Sequence, residues 1–225
     1  MEDIGVMPHW VFDCMGVHVV LNKETLIMTW IVMAMWILFA LLASRNTRLL
    51  PNPFQGTAEL LVGTWDQLIE DSLGEREMGR KYFSFICTIF LMFWISNMLG
   101  LIPFLSEPTK DINTTLSLGV IGFVVAHYSG IKAKGIGTYL KGYAEPIFFM
   151  APLNIIGEFS KVISISFRLF GNIMGGSIII LVVSYLVYSL VLPPFLYAFF
   201  GIFVGTIQAF VFTMLTLVYI VVQIK

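Results

Sequence analysis

The 225-residue chain is 58% hydrophobic and 12% charged, with a mean hydropathy of +0.88, which excludes an ordinary soluble domain and places it in a membrane. A formal net charge of −1, with no block of Lys and Arg, excludes a nucleic-acid partner. Two cysteines, Cys14 and Cys87, are too few and too badly placed for a disulfide framework or a zinc site.

In chain order, residues 1–25 read as a segment outside the membrane. Glu2 and Asp3 stand where a signal peptide would carry basic residues, so the first apolar run, residues 26–43, is expected to be a retained span. Residues 58–75 place Leu60, Leu61, Trp65, Leu68, Ile69 and Leu73 among acids at helical spacing, the pattern of an amphipathic helix on the membrane surface. Residues 83–131 hold two runs of about bilayer length, Phe83 to Leu101 and Leu116 to Ile131, a transmembrane hairpin. Residues 146–225 are nearly continuous apolar sequence, broken chiefly by the two prolines of LPPF, Leu192 to Phe195. The first helix of that pair, roughly Pro152 to Tyr188, is too long for one upright crossing and must tilt, bend or lie partly across the bilayer. The fold class is therefore an all-α polytopic membrane protein of five membrane helices plus a surface amphipathic helix, a single membrane domain over residues 1–225.

Basic residues orient the set. Arg45, Arg48, Arg76, Arg80, Lys81, Lys132, Lys134, Lys141 and Lys225 fall on one side, and Lys23 and Lys110 on the other. The N-terminus is then outside and the C-terminus cytoplasmic.

Within ISFRLFGNIMGG, Ile165 to Gly176, a lone arginine sits among apolar residues and glycines. On a helix, Gly157, Lys161, Ser164, Gly171, Asn172 and Gly175 share the side of Arg168. Such a small, polar face suits close helix packing, with Arg168 snorkelling or paired to a carbonyl. Against that stands a cost of about 2.5–3.5 kcal/mol for an arginine deep in the bilayer, so the alternative is an ion path or a partner carboxylate. No acid follows Glu158, and residues 169–224 contain no charge and no histidine, so if Arg168 has a carboxylate partner it must come from elsewhere.

These residues carry a resemblance. SISFRLFGNIMGG, with NIIGEFSK before it and GTIQAFVFTMLTLVYI near the C-terminus, resembles subunit a of the rotary F-type ATP synthase, the membrane stator beside the c-ring. ISNMLGLIPF, DINTTLSLGV and KAKGIGTYLKG match in the same order, from about Ala58 onward, while the first quarter is similar in topology alone. The resemblance implies that the last two helices are long, strongly tilted and wrapped against the ring. It implies a stator subunit forming two half-channels that pass protons to and from ring carboxylates past the essential Arg168. The chain would not be catalytic alone; it would work with the c-ring and the peripheral stalk subunit b, in the lipid bilayer, with no direct nucleotide and no cofactor. Its place would be the bacterial plasma membrane.

By the same resemblance, Asn172 orients the guanidinium or holds water, and Gln208 stands opposite the arginine helix. Asn97 lines the outside half-channel, with Asp111 and Asn113 at its mouth. Glu158, Ser160 and Ser164 match the inner half-channel, with Lys161 a partner for Glu158; a plain i,i+3 ion pair explains those two residues as well. Many family members carry a Glu or His about nine residues after the arginine and a partner for it on the final helix. Here Ser177 and Gly201 fall there, and neither titrates. Water chains with Asn97, Asn172 and Gln208, a carboxylate from Asp111, or a coupling ion other than the proton are the alternatives.

A sodium-coupled version of the same stator is the nearest rival. A self-contained secondary transporter using Arg168 to bind an anion would predict an internal repeat, which the sequence lacks. A membrane enzyme would need a clustered His, Asp or Cys constellation, also lacking. His9, His18 and His127 share no ligand spacing, and KGIGTYLKG has no Walker lysine-serine pair.

Overall fold

The computed structural model describes residues 9–14, 17–45, 53–74, 76–102, 105–144, 149, 151–186 and 192–224. Glu2, Asp3, Arg48, Pro146, Tyr188 and Lys225, which entered the reading above, lie outside the described residues. Among the described residues five helices are long and apolar enough to cross a membrane. The architecture is the expected all-α polytopic one, with one addition at the N-terminus.

That addition is an antiparallel hairpin of β1 (His9–Cys14) and β2 (Val17–Asn22), in register from His9 opposite Asn22 to Cys14 opposite Val17. Asn22 ends the hairpin and caps α1 (Lys23–Ser44), its side-chain oxygen accepting from the Glu24 amide at 3.2 Å. Helix α1 buries little apart from Val32; the Trp36 indole donates to the Leu91 carbonyl at 2.8 Å and ties it to the bundle.

Helix α2 (Pro53–Leu73) turns Trp65, Ile69 and Leu73, spaced four apart, onto α3 (Arg76–Met98). It stops at Gly74, whose positive φ of 75° allows the amide to return to the Glu70 carbonyl. The chain leaves α3 through a 3-10 turn, Leu99–Leu101, and re-enters through a second, Pro108–Lys110. Asp111 then caps α4 (Ile112–Lys134), which ends at Gly135 with φ 80°, and the short α5 (Ile136–Ala144) follows.

Helix α4 is the spine between α6 (Ala151–Leu186) and α8 (Gly205–Ile224). Its glycines make that possible. A Cβ at Gly119 would overlap the Ser166 hydroxyl of α6, and one at Gly122 would stand 3.1 Å from Thr216 of α8. At 36 residues α6 is roughly 54 Å long, against an apolar bilayer core of about 30 Å, so it crosses steeply. Past Arg168 it leaves the start of α4 and runs over the second 3-10 turn to α7 (Leu192–Ala198). Prolines 193 and 194 occupy the first turn of α7, where no intrahelical donor is lost. Between α7 and α8 the residues Phe199–Val204 form a π-helix, packed by Gly176 under Phe200 and by Gly201 under Leu101.

Candidate functional site

The open face of α6 carries the site. Arg168, Ser160, Ser164 and Asn172 are exposed, while Val162, Ile165, Ser166, Leu169 and Ile173 turn inward. A Cβ at Gly157, Gly171 or Gly175 would meet nothing within 4 Å. The glycines of that stripe are therefore not packed on a neighbouring helix; α6 is packed closely instead through Gly119 of α4 and, on its own inner side, Gly176. Among the described residues none accepts a hydrogen bond or ion pair from Arg168.

One turn on, Asn172 donates from Nδ2 to Oε1 of Gln208 at 2.9 Å, bridging α6 and α8. Gln208 is buried, so without this donor its carbonyl oxygen would be stranded among apolar neighbours. The bridge holds the two polar side chains of the long helices next to the arginine's turn.

At the end of the bundle carrying the hairpin lies a cavity of about 520 Å³, lined by Asn22, Glu24, Thr25, Asp111 and Asn113 among others. Asp111 is heavily engaged there. Its Oδ1 accepts from the Asn113 amide at 2.9 Å, and its Oδ2 from the Thr25 hydroxyl at 3.1 Å and the Asn22 amide at 3.4 Å. It joins α1 to α4 as well as facing the cavity. Asn97 is placed differently: fully buried, it donates to the Gly205 carbonyl at 3.0 Å and accepts from the Thr109 hydroxyl at 2.8 Å. It fastens α3 to the seam between the π-helix and α8, and to the second 3-10 turn, without lining that cavity. Ser177 donates to the Ile173 carbonyl at 3.0 Å, one turn back on its own helix.

The opposite end holds a cavity of about 430 Å³. Glu158 and Lys161 line it, paired at 2.6 Å, with the Lys161 ammonium 5.5 Å from the Tyr219 ring centre. Glu158 thus has its cation three residues on and none from Arg168. Sequence reasoning missed the network beside this pair. The Tyr139 hydroxyl donates to Gln223 Oε1 at 2.9 Å and lies 3.0 Å from the Tyr143 hydroxyl, which in turn lies 3.3 Å from His127 Nε2. His127 Nδ1 faces the Phe123 carbonyl at 2.9 Å, so in the neutral ring Nδ1 carries the proton and Nε2 accepts from Tyr143. Burial first, then the contact with Tyr143, pushes the Tyr139 phenol well above its usual range, keeping it a neutral donor. The available signal was the polar pair His127 and Gln223 inside apolar helices; the tyrosines on α5 gave none.

No group of three or more His, Cys, Asp or Glu that would hold a metal ion occurs among the described residues. What the arrangement offers is a fixed positive charge on an open helix face, an amide bridge beside it, and polar cavities at the two ends of the bundle.

Comparison with known proteins gives the family. The family model described as ATP synthase A chain matches residues 26–221, so the match includes the first span, which resembled the family in topology alone. ATP synthase subunit a 1 of Pelobacter propionicus is 38% identical over 196 residues, covering 85% of this chain and 83% of the relative. The chloroplastic ATP synthase subunit a of Oedogonium cardiacum is 40% identical over 210 residues, 89% of this chain and 82% of the relative. That of Stigeoclonium helveticum is 35% identical over 230 residues, 98% and 91%. The chain is a multi-pass membrane protein that belongs to the ATP synthase A chain family, an ion-transport subunit of the membrane sector that is not catalytic alone.

Proposed function

We propose that the chain is the proton-carrying stator of a rotary ATP synthase, acting as one membrane domain in a bacterial plasma membrane. The observation that carries this reading is Arg168, without an ion-pair partner among the described residues, on an open face flanked by cavities with polar linings at opposite ends. The open, glycine-lined face suits a ring of helices sliding past, and the remaining apolar surface suits lipid and the membrane anchor of a peripheral stalk subunit b. The hairpin end is outside, because the basic loops gather at the other end.

Charge supplies the mechanism. A ring carboxylate facing lipid stays protonated because burial disfavours its charge. At about 4 Å from Arg168, with an effective dielectric near 20, attraction of about 4 kcal/mol favours the ionised form. That is roughly three pKa units, so the carboxylate releases its proton beside the arginine. Protons enter from the hairpin-end cavity, ride the ring, and leave through the cavity of Glu158, Lys161 and Gln223. Ser160 and Ser164 offer hydroxyls along the inner approach, and Asn172 with Gln208 holds the guanidinium's surroundings polar. Asn97 and Asp111 hold the walls of the outer path in place. A guanidinium does not deprotonate, so it also repels a cation trying to pass directly between the two paths.

ATP-driven acidification of inverted membrane vesicles tests the reading. Wild-type vesicles are expected to acidify without sodium, and Arg168→Ala to abolish acidification while the complex still assembles. Sodium uptake that survives a protonophore would replace the proton by sodium, and undiminished pumping in Arg168→Ala would overturn the role of the arginine.

A further inference from the structure

A small chamber of about 20 Å³, enough for one water, lies against α6 beside the outer cavity, lined by Asn172 and Ser177 and closed by Tyr197 and Gly201. Two side chains line both spaces: Glu107 and its ion-pair partner Lys110, 3.2 Å apart. The Glu107 side chain is 12% exposed and packs over Gly100, where a Cβ would overlap its carboxylate. Neither the hydroxyl of Ser177 nor the backbone of Gly201 ionises near neutral pH, so neither can store and release a proton. Gly201 has no space for a larger side chain either, since a Cβ there would stand 2.9 Å from Leu101.

We propose that Glu107 is the proton-relaying carboxylate of the outer half-channel, reached from the loop rather than from the two long helices. The proposal rests on the stator reading above. In the synthesis direction a hydronium ion in the outer cavity protonates the Glu107 carboxylate and leaves as water. The Glu107 carboxyl then donates that proton to a water in the chamber, which passes it by Asn172 to the ionised ring carboxylate, and Glu107 returns to its pair with Lys110. Burial raises the Glu107 carboxyl above the usual carboxylate range, with Lys110 drawing it partly back, so it can accept and release protons closer to neutrality. The groups facing it are few. Lys110 comes from its own turn, Glu24 of α1 and the capping Asp111 stand across the outer cavity, and the Tyr197 phenol stands across the chamber. From α6 the chamber takes the neutral Asn172 and Ser177 beside the apolar Ile173 and Ile180, and Asn97 of α3 meets this turn through Thr109.

The test is ATP-driven acidification in inverted vesicles holding the whole complex, with assembly followed by copurification. Glu107→Gln is expected to lower the pumping rate by at least about tenfold, Glu107→Asp to retain most of it, and Ser177→Glu added to Glu107→Gln to restore a measurable part. Pumping within about twofold of wild type in Glu107→Gln, beside a silent Arg168→Ala, would overturn the role of Glu107 and leave the stator reading standing. Pumping by Arg168→Ala would instead overturn the stator reading. Should Glu107→Gln fail to assemble, Lys110→Met carries the test. Losing the ammonium raises the carboxyl further, so the midpoint of the pumping pH profile must move to higher pH, and an unmoved midpoint overturns the proposal.

Discussion

Two asparagines serve different ends, and substitution should separate them. Asn97 is satisfied on both sides, by the Gly205 carbonyl and the Thr109 hydroxyl, in a place with no room for solvent. Asn97→Leu strands the buried Thr109 hydroxyl at about 1–3 kcal/mol and removes a second bond to a carbonyl in the first turn of α8, so the solubilised complex should melt at a clearly lower temperature. Asn172 sits on the open face and holds one interhelical bond, worth about 1 kcal/mol in a membrane protein. Asn172→Ala strands the Gln208 oxygen and is expected to lower melting modestly, by less than Asn97→Leu, while the complex still assembles and ATP-driven pumping slows; pumping that fell only in step with assembly would make the pair a packing contact. Arg168, Asn172 and Gln208 were legible in the sequence because a lone polar group in an apolar helix stands out. Asn97 was visible as polar, but its partner carbonyl is 108 residues away, at a π-helix seam that no periodicity announces. Glu107 was invisible for the opposite reason: a glutamate in a loop is ordinary until α6 is known to run over that loop.

Between elements, the fold depends on α4 being thin. Gly130 brings α5 and the end of α8 together: a Cβ there would stand 2.7 Å from the Tyr139 ring and 3.0 Å from the Gln223 backbone oxygen. Gly130→Leu should destabilise the solubilised subunit by about 1–3 kcal/mol through overpacking. It should also pull Tyr139 away from Gln223. Gly142→Ala, where an added Cβ meets nothing within 4 Å, is the matched control and should melt like wild type. The spans themselves were readable from length and composition, and the excess length of α6 from residue count alone. The hairpin was not, because HWVFDC and VHVVLN are short apolar runs that fit a strand or a membrane-entry segment equally well. Nor was α5, nine residues in a stretch that reads as a basic connection.

At the scale of the molecule the site is an arrangement of three surfaces, one cavity at each end and an open face between them, and each should answer separately to a water-soluble thiol reagent. Asn113 lies exposed at the hairpin-end cavity, Thr138 lines the opposite one, and Gly171 stands on the open face two helical residues past Leu169. Single cysteines at these positions, in a chain with Cys14→Ser and Cys87→Ala, make the comparison clean. With the basic loops in the cytoplasm, as proposed above, a membrane-impermeant maleimide is expected to label Asn113→Cys in intact cells and Thr138→Cys in inverted vesicles alone. The reversed pattern would turn the subunit over and exchange its entry and exit paths. Gly171→Cys should label in the isolated, solubilised chain, where its face is bare, and become protected in the assembled complex if the proposed ring covers it. Protection that failed to appear on assembly would mean that the open face of α6 looks onto lipid, and that the charge of Arg168 must be met from some other direction.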